Sequence, residues 1–387
     1  MNQIFDVAVI GAGVIGTSSA YYNAKKGARV IVIDGGDIAE STSSHSDGNI
    51  LVCDKQPGFD AKFAKASQEM FPSLEAELDY ELEWTQKGSL FLTETEEEFA
   101  MAEKFCMDMN ESGINMRMLD HQEVLDDEPY LARDIYGGLE TISDGSVFPV
   151  ALSYGYALAC ERLGGVLSLH NMVQAIKKED NFFTIETKNG KIRANNIVNA
   201  GGVNSPQIGK MVGLDIPVEA RQGQILVSEQ TFRVARRKVH EFGYMLTKFQ
   251  SGNYERPVSE RVKRNEVAFV FEPTVSSNFL IGSSRSFVGE NINNEIDVMQ
   301  ALAERAIRFF PVIADIKVIR AYSGLRPFTP DHMPIVSATP VKGFFIAAGH
   351  EGDGIGLSPI TGKSIADLVA GEEPFMDLSP LSYQRFM

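Results

Sequence analysis

Phe5-Asp6-Val7-Ala8-Val9-Ile10-Gly11-Ala12-Gly13-Val14-Ile15-Gly16 runs into Thr17–Lys26, and a second apolar stretch, Arg29–Ile33, stops at Asp34. The order reads as strand, glycine turn, helix and second strand with an acid at its tip. Each piece suits a bound dinucleotide. Gly11 permits the tight turn, Gly13 lets the main chain approach a pyrophosphate, and Gly16 lets the helix pack close to the sheet. The helix start at Val14 and Ile15 offers free N–H groups and partial positive charge to the phosphates. Asp34 can accept hydrogen bonds from both ribose hydroxyls and would repel a 2′-phosphate.

The rest of the chain narrows the class. Its 387 residues suffice for two domains and a large core. A formal net charge of −16 argues against nucleic acid and anionic membrane surfaces as partners. No apolar run is long enough for a transmembrane segment. Met1-Asn2-Gln3 lacks the features of a secretion signal, so a cytoplasmic location is expected, either free or at the membrane through a partner. Cys53, Cys106 and Cys160 are far apart and form no CxxC pair, so no metal or iron–sulfur site is expected.

Beyond Asp34 the strand–helix alternation breaks. Gly35–Gly58 reads as a long loop of the functional kind, and Asp60–Leu82 as helical. Gly88–Thr93 suggests a strand, and Glu94–Ser112 a helix whose charges form a solvated face. Strands are expected over 137–148, 166–169, 172–178, 182–187 and 191–199, with a helix over 149–164 and a hairpin at Asn189-Gly190. Strand patterns dominate Ile216–Ser286, including the run Phe242-Gly243-Tyr244-Met245-Leu246. Ile296–Phe310 reads as a helix, Gly343–Ala348 as a buried strand, and Pro359–Val369 as the last helix. The expected division is a discontinuous cofactor domain (1–82, 141–220, 322–387) and a substrate domain (83–140, 221–321).

A second glycine site, Ile197-Val198-Asn199-Ala200-Gly201-Gly202-Val203-Asn204-Ser205, ends a hydrophobic strand in small residues. It is either a second approach to the nucleotide or an ordinary strand–turn. Taken together with GAGVIG, Asp34 and the Ser43-Ser44-His45-Ser46-Asp47-Gly48-Asn49 loop, this motif resembles the D-amino-acid oxidase superfamily of FAD enzymes. So do Arg221-Gln222-Gly223-Gln224, Gly324-Leu325-Arg326-Pro327 and Gly349-His350-Glu351-Gly352-Asp353-Gly354-Ile355-Gly356. Within it the chain is similar to glycine and sarcosine oxidases. The loop leading into Ile50-Leu51-Val52 also resembles the flavin beta subunits of dye-linked proline dehydrogenase, opine oxidase and D-hydroxyproline dehydrogenase.

The resemblance implies an α/β fold: a Rossmann-like FAD-binding domain with a second, mainly antiparallel-sheet substrate domain. It implies flavin contacts from Ser43, Ser44, His45, Gly48, Asn49 and Ile50, and from Gly352, Asp353, Gly354, Ile355 and Gly356. Val173 would meet the adenine, while Ala200, Gly201, Gly202 and Gly324 would lie against the cofactor. The last glycine motif also favours FAD over NAD on physical grounds. Loop N–H groups and a helix N-terminus stabilise the negative charge of a reduced flavin, whereas a nicotinamide needs no such cradle. In the sarcosine oxidases that it resembles, the flavin-linking cysteine lies in the C-terminal third, and with no cysteine after Cys160 the resemblance implies non-covalent FAD here.

Arg326 stands in an apolar, proline-rich run, where an unpaired guanidinium is costly. It either pairs with an acid of the protein or grips a substrate carboxylate, the role the resemblance implies. Tyr244 would cover the substrate or be a sheet aromatic. His45 and His350 would be charge partners of flavin or amine, or plain histidines.

The reaction expected is hydride transfer from the carbon beside the nitrogen of a small carboxylated amine to flavin, with no dedicated general base. Proline, hydroxyproline, sarcosine, glycine and opines are the candidate substrates. Rival readings are a flavoenzyme for 2-hydroxy acids, an NAD-linked dehydrogenase and an FAD-holding non-catalytic subunit. The beta-subunit resemblance implies a redox partner subunit as electron acceptor in place of oxygen.

Overall fold

The computed structural model describes residues 4–248 and 254–387. Val7–Ile10 and Val30–Ile33 are buried along their whole length, as strands covered on both faces must be. They pair in parallel, Val7 with Val30 through Ile10 with Ile33. The other side of Ile4–Ile10 pairs in parallel with Gly190–Asn199, which continues to Phe344–Ala348. Val166–Ser168 and the antiparallel Ile335–Ala338 complete the row, and the hairpins of Val173–Lys178 and Phe183–Thr187 extend it.

The helix Val14–Lys25 is buried nearly all round because it lies between the sheet and two further helices. These are Pro149–Arg162 and the last helix, Gly354–Ala370. Small residues allow the close crossing, where Ser18 Oγ donates to the Ser358 carbonyl at 2.6 Å.

The second sheet has eight strands, in the order 318–328, 219–228, 279–282, 270–273, 238–241, 89–93, 137–141 and 116–119. All its pairs are antiparallel except 238–241 with 89–93. The helix Ile296–Phe309 covers one face with Val298, Ala301, Leu302, Ala306 and Phe309. Phe309 stacks on Phe269 at 4.4 Å between centroids. Residue 322, expected as a domain boundary, falls inside a strand whose pairing runs unbroken from Arg320 to Phe328.

Three expectations are corrected. Residues 242–246 are not a strand: Phe242–Lys248 is a helix. Phe242, Met245 and Leu246 share one helical face and are buried in the large core, and a five-residue window cannot separate that spacing from alternation. The region 60–82 holds two helices, Phe59–Gln68 and Phe71–Leu78. Pro72 lies in the first turn of the second helix, where its missing N–H has no partner to lose. The last helix begins at Gly354, with Pro359 inside it. Proline leaves the Ile355 carbonyl without its usual donor, and Ser358 Oγ supplies one at 2.9 Å.

Candidate active site

The first glycine turn joins the strand Ile4–Ile10 to the helix Val14–Lys25. Gly11 has φ of +114°, and a Cβ there would collide with the Ala200 carbonyl oxygen. The turn therefore holds the GAG and Ala200-Gly201-Gly202 segments side by side. Asp34 is pinned by main chain: Ala12 N–H donates to Oδ2 at 2.6 Å and Gly36 N–H to Oδ1 at 2.8 Å. The amides of His170 and Asn171 donate back to the Gly36 and Asp34 carbonyls, which brings the strand starting at Val173 beside the acid. Ser43 Oγ accepts from Val14 N–H at 3.0 Å, so the early loop closes over the helix start. Ser44 is exposed, Ile50 is buried, and Gly48 abuts the Val147 carbonyl.

From there a cleft with a cavity volume of about 100 Å³ opens between the sheets. Its walls carry Asp47, Asn49, Asp54 and Lys55 of the early loop, and Gly352, Asp353 and Gly356 at the start of the last helix. The second sheet contributes Lys238, His240, Arg285 and Arg326. Most charges are paired. Buried Lys55 reaches Asp54 and Asp353 at 2.6 Å each. Burial opposes the Lys55 charge, but Asp353 and Asp54 outweigh it and hold the ammonium well above its ordinary value. Glu351 takes Arg221 at 2.5 Å and His332 at 2.8 Å. Lys238 lies 3.9 Å from both Asp47 and Glu272.

Arg326 and Arg285 differ from these. Arg326 stands opposite Arg221 on the neighbouring strand, and its guanidinium lies over Gly223, where a side chain would collide with it. Its Nη1 donates to the Ser284 carbonyl at 3.0 Å, and among the described residues it makes no ion pair. Burial, then the Arg221 charge, pulls Arg326 below its ordinary value. Arg285 Nε and Nη1 are buried without a hydrogen-bond partner among the described residues. Burial, then Arg326 and Arg221, pushes Arg285 down to about 9.

The remaining expected residues are placed differently. Tyr244 sits on the short helix, with the Arg285 guanidinium 4.1 Å from its ring centroid. His45 is half-buried, with Nδ1 2.8 Å from the Ser41 carbonyl and its ring edge-on to Tyr322. His350 does not line the cleft: it bonds Thr361 Oγ1 at 3.0 Å, and burial pushes it down to about 3, so it is neutral. Asp331 holds Arg385 and the Met333 amide in a turn.

Sequence reading missed Lys55, Lys238, His240 and Arg285. Ser283-Ser284-Arg285-Ser286 follows an apolar strand much as Arg326 interrupts one, so the signal used for Arg326 could have found Arg285. Lys238 and His240 alternate along an ordinary-looking strand and gave no signal. His240 stacks on Phe91 at 4.2 Å, with Nε2 3.6 Å from Cys53 Sγ. Burial, then Lys238, holds it neutral. Cys53, Cys106 and Cys160 are free and buried, and no metal-holding cluster occurs among the described residues.

The family description "FAD dependent oxidoreductase" matches residues 6–368. The chain belongs to that family. Glycine oxidase of Bacillus subtilis (strain 168) is 26% identical, over 97% of this chain and 96% of its own. An opine oxidase subunit of Agrobacterium tumefaciens (strain Ach5) is 26% identical, over 98% of this chain and 97% of its own. Among solved structures, glycine oxidase from Geobacillus kaustophilus superposes with a TM-score of 0.89 at 26% identity, covering 100% of both chains. L-proline dehydrogenase from P. horikoshii, at 20% identity and a TM-score of 0.88, shares the fold over 100% of this chain and 98% of its own. The chain is thus an FAD-dependent oxidoreductase of mixed parallel and antiparallel sheets. No helix among the described residues is long and apolar enough to cross a membrane.

The residues present fit FAD. The helices starting at Val14 and Gly354 have no side-chain cap of their own at the N-cap position, which leaves positive helix ends near both glycine motifs. Asn49, on the cleft wall, has both side-chain polar atoms buried and unpartnered among the described residues. An orphaned amide donor and acceptor complement the alternating acceptors and donor of a flavin pyrimidine edge.

Proposed function

We propose that the chain oxidises the carbon–nitrogen bond of a small carboxylated amine, of proline, hydroxyproline, sarcosine, glycine or opine type. In this reading FAD is held without a covalent bond. Gly11, Gly13 and Ile15 receive the pyrophosphate, with Gly16 letting the helix pack close and the Val14 amide holding Ser43 over the turn, Asp34 receives the ribose, and the main chain at Val173 the adenine. Ala200, Gly201 and Gly202 close the far side. Ser43, Gly48, Asn49 and Ile50, with Gly352, Gly354, Ile355 and Gly356, hold the flavin. Asp353 serves through its ion pair with Lys55, which ties the last helix start to the early loop.

Bound FAD would supply a two-electron acceptor for the α-hydrogen and its electron pair, the nitrogen lone pair forming the C=N bond of an iminium that gives up its N–H proton to water and is hydrolysed after release. The chain binds and orients. Arg326 takes the substrate carboxylate on its free guanidinium edge. Tyr244 holds the neighbouring Arg285 by its ring face. No general base is assigned, because neutral, inward-packed His350 and loop-bound His45 do not face the cleft.

One observation supports this above the others: Arg326 opens on the cleft with no acid as ion-pair partner among the described residues. The test is anaerobic bleaching of the purified yellow protein by the candidate amines and by matched 2-hydroxy acids. Bleaching by amines alone is the expected result. Bleaching by hydroxy acids alone transfers the site to alcohols, and no bleaching by either leaves an FAD-holding subunit.

We also propose that electrons pass to a partner subunit and not mainly to oxygen. The support is the subunit character of two relatives, the opine oxidase chain above and hydrogen cyanide synthase subunit HcnC of Pseudomonas aeruginosa. The latter is 25% identical over 100% of this chain and 97% of its own. Rapid stoichiometric peroxide formation by the isolated chain, without added dye, overturns it.

A further inference from the structure

Arg285 makes no hydrogen bond among the described residues that would account for its burial. Its Nε and Nη1 are buried and unpartnered, and it faces the same cleft as Arg326. A buried cation in that state is costly, and a bound anion is the usual remedy. The acids along the cleft are already engaged: Asp54 and Asp353 with Lys55, Glu351 with Arg221 and His332, and Asp47 beside Lys238. The Tyr244 ring holds the guanidinium by its face, at 4.1 Å from the centroid, which leaves the N–H edge available. Both arginines line the one cleft, and Arg326 Nη1 donates to the carbonyl of Ser284, the residue before Arg285. Their mutual repulsion is one cause of the lowered affinity of Arg285 for its proton.

We propose that Arg285 is a second anion site, so that the substrate is an amine bearing two carboxylates, one for Arg326 and one for Arg285. This rests on the amine-oxidising reading above and narrows it to short iminodicarboxylates and N-carboxyalkyl amino acids. A substrate with one carboxylate would leave one buried guanidinium uncompensated, whereas a dicarboxylate neutralises both and spans them through its nitrogen. The fork geometry of each arginine matches one carboxylate.

The test uses the holoenzyme and a matched trio: iminodiacetate, sarcosine (one carboxylate fewer) and N-(carbamoylmethyl)glycine (the second carboxylate made a neutral amide). Wild type should prefer iminodiacetate in kcat/KM over both. Arg285→Met should lower the iminodiacetate-to-sarcosine ratio by about 30-fold or more, mostly through KM, with Arg285→Lys in between. An equal loss on both amines means that the two arginines share one carboxylate, and loss of FAD from Arg285→Met means that the residue serves the cofactor. Either result overturns the proposal.

A binding readout on wild type is independent of turnover and of the variant's folding. Malonate should perturb the flavin spectrum at concentrations at least about tenfold below acetate. Equal effects of the two anions overturn the second site. If malonate binds tightly but no amine bleaches the flavin, the anion pair stands and the amine-oxidising reading falls.

Discussion

Arg326 is a cation on a cleft wall with no carboxylate of its own among the described residues, and its replacement separates a structural role from a binding one. Arg326→Ala should keep the flavin spectrum while kcat/KM for an amine substrate falls by the equivalent of about 2–5 kcal/mol, and Arg326→Lys should recover part of it. Normal saturation in both variants would place the carboxylate clamp elsewhere. Asp34→Ala should weaken FAD binding by about 1.5–3 kcal/mol, read as retention during dialysis. Asp34 also holds the amides of Ala12 and Gly36, so unfolding should be monitored in parallel. Both residues were legible in the sequence, because an acid at a strand tip and an arginine in an apolar run each violate their surroundings. Lys55 and Lys238 were not, since nothing local shows that a lysine on a polar loop or in a strand will be buried.

Among the elements, the last helix differs most usefully from its sequence reading. Proline looked like a start, yet the helix begins at Gly354 and carries Pro359 inside. The Ser358 hydroxyl caps the Ile355 carbonyl that proline leaves open. Ser358→Ala should therefore cost about 1–3 kcal/mol, the penalty for a buried unsatisfied acceptor, measured as a lower urea midpoint at unchanged m-value. If the midpoint stays put, the carbonyl has found another donor. The helix Phe242–Lys248 teaches a related lesson. Five residues of mixed pattern fit either period, and only the core that receives Phe242, Met245 and Leu246 decides between them.

At the scale of the whole molecule, three carboxyl groups in separate places couple stability to pH. Burial pushes Glu98, Glu128 and Glu272 each up to about 7 from 4.5, against the opposing pull of Tyr254, the Arg236 amide and Lys238 respectively. The folded chain holds these protons more tightly than the unfolded one. Their contribution is therefore complete below pH 4.5 and is lost as pH rises through about 7. Tm should fall between about pH 4.5 and pH 7 by this route and level off above it, and Glu98→Gln or Glu272→Gln should each flatten part of the fall; an unchanged slope in both variants would remove burial as its cause. The nucleotide-binding half was determined by the sequence alone. Strand, turn, helix and acid lie within one short stretch, and each glycine there answers a local steric demand. The cleft was decided only by the tertiary structure. Arg221 meets Glu351 across 130 residues of chain, Arg285 arrives from the segment after one strand and Arg326 from within another, and His350 turns inward to Thr361. Which charges are paired and which stay open depends on distances between remote segments, and no local pattern in the chain records those distances.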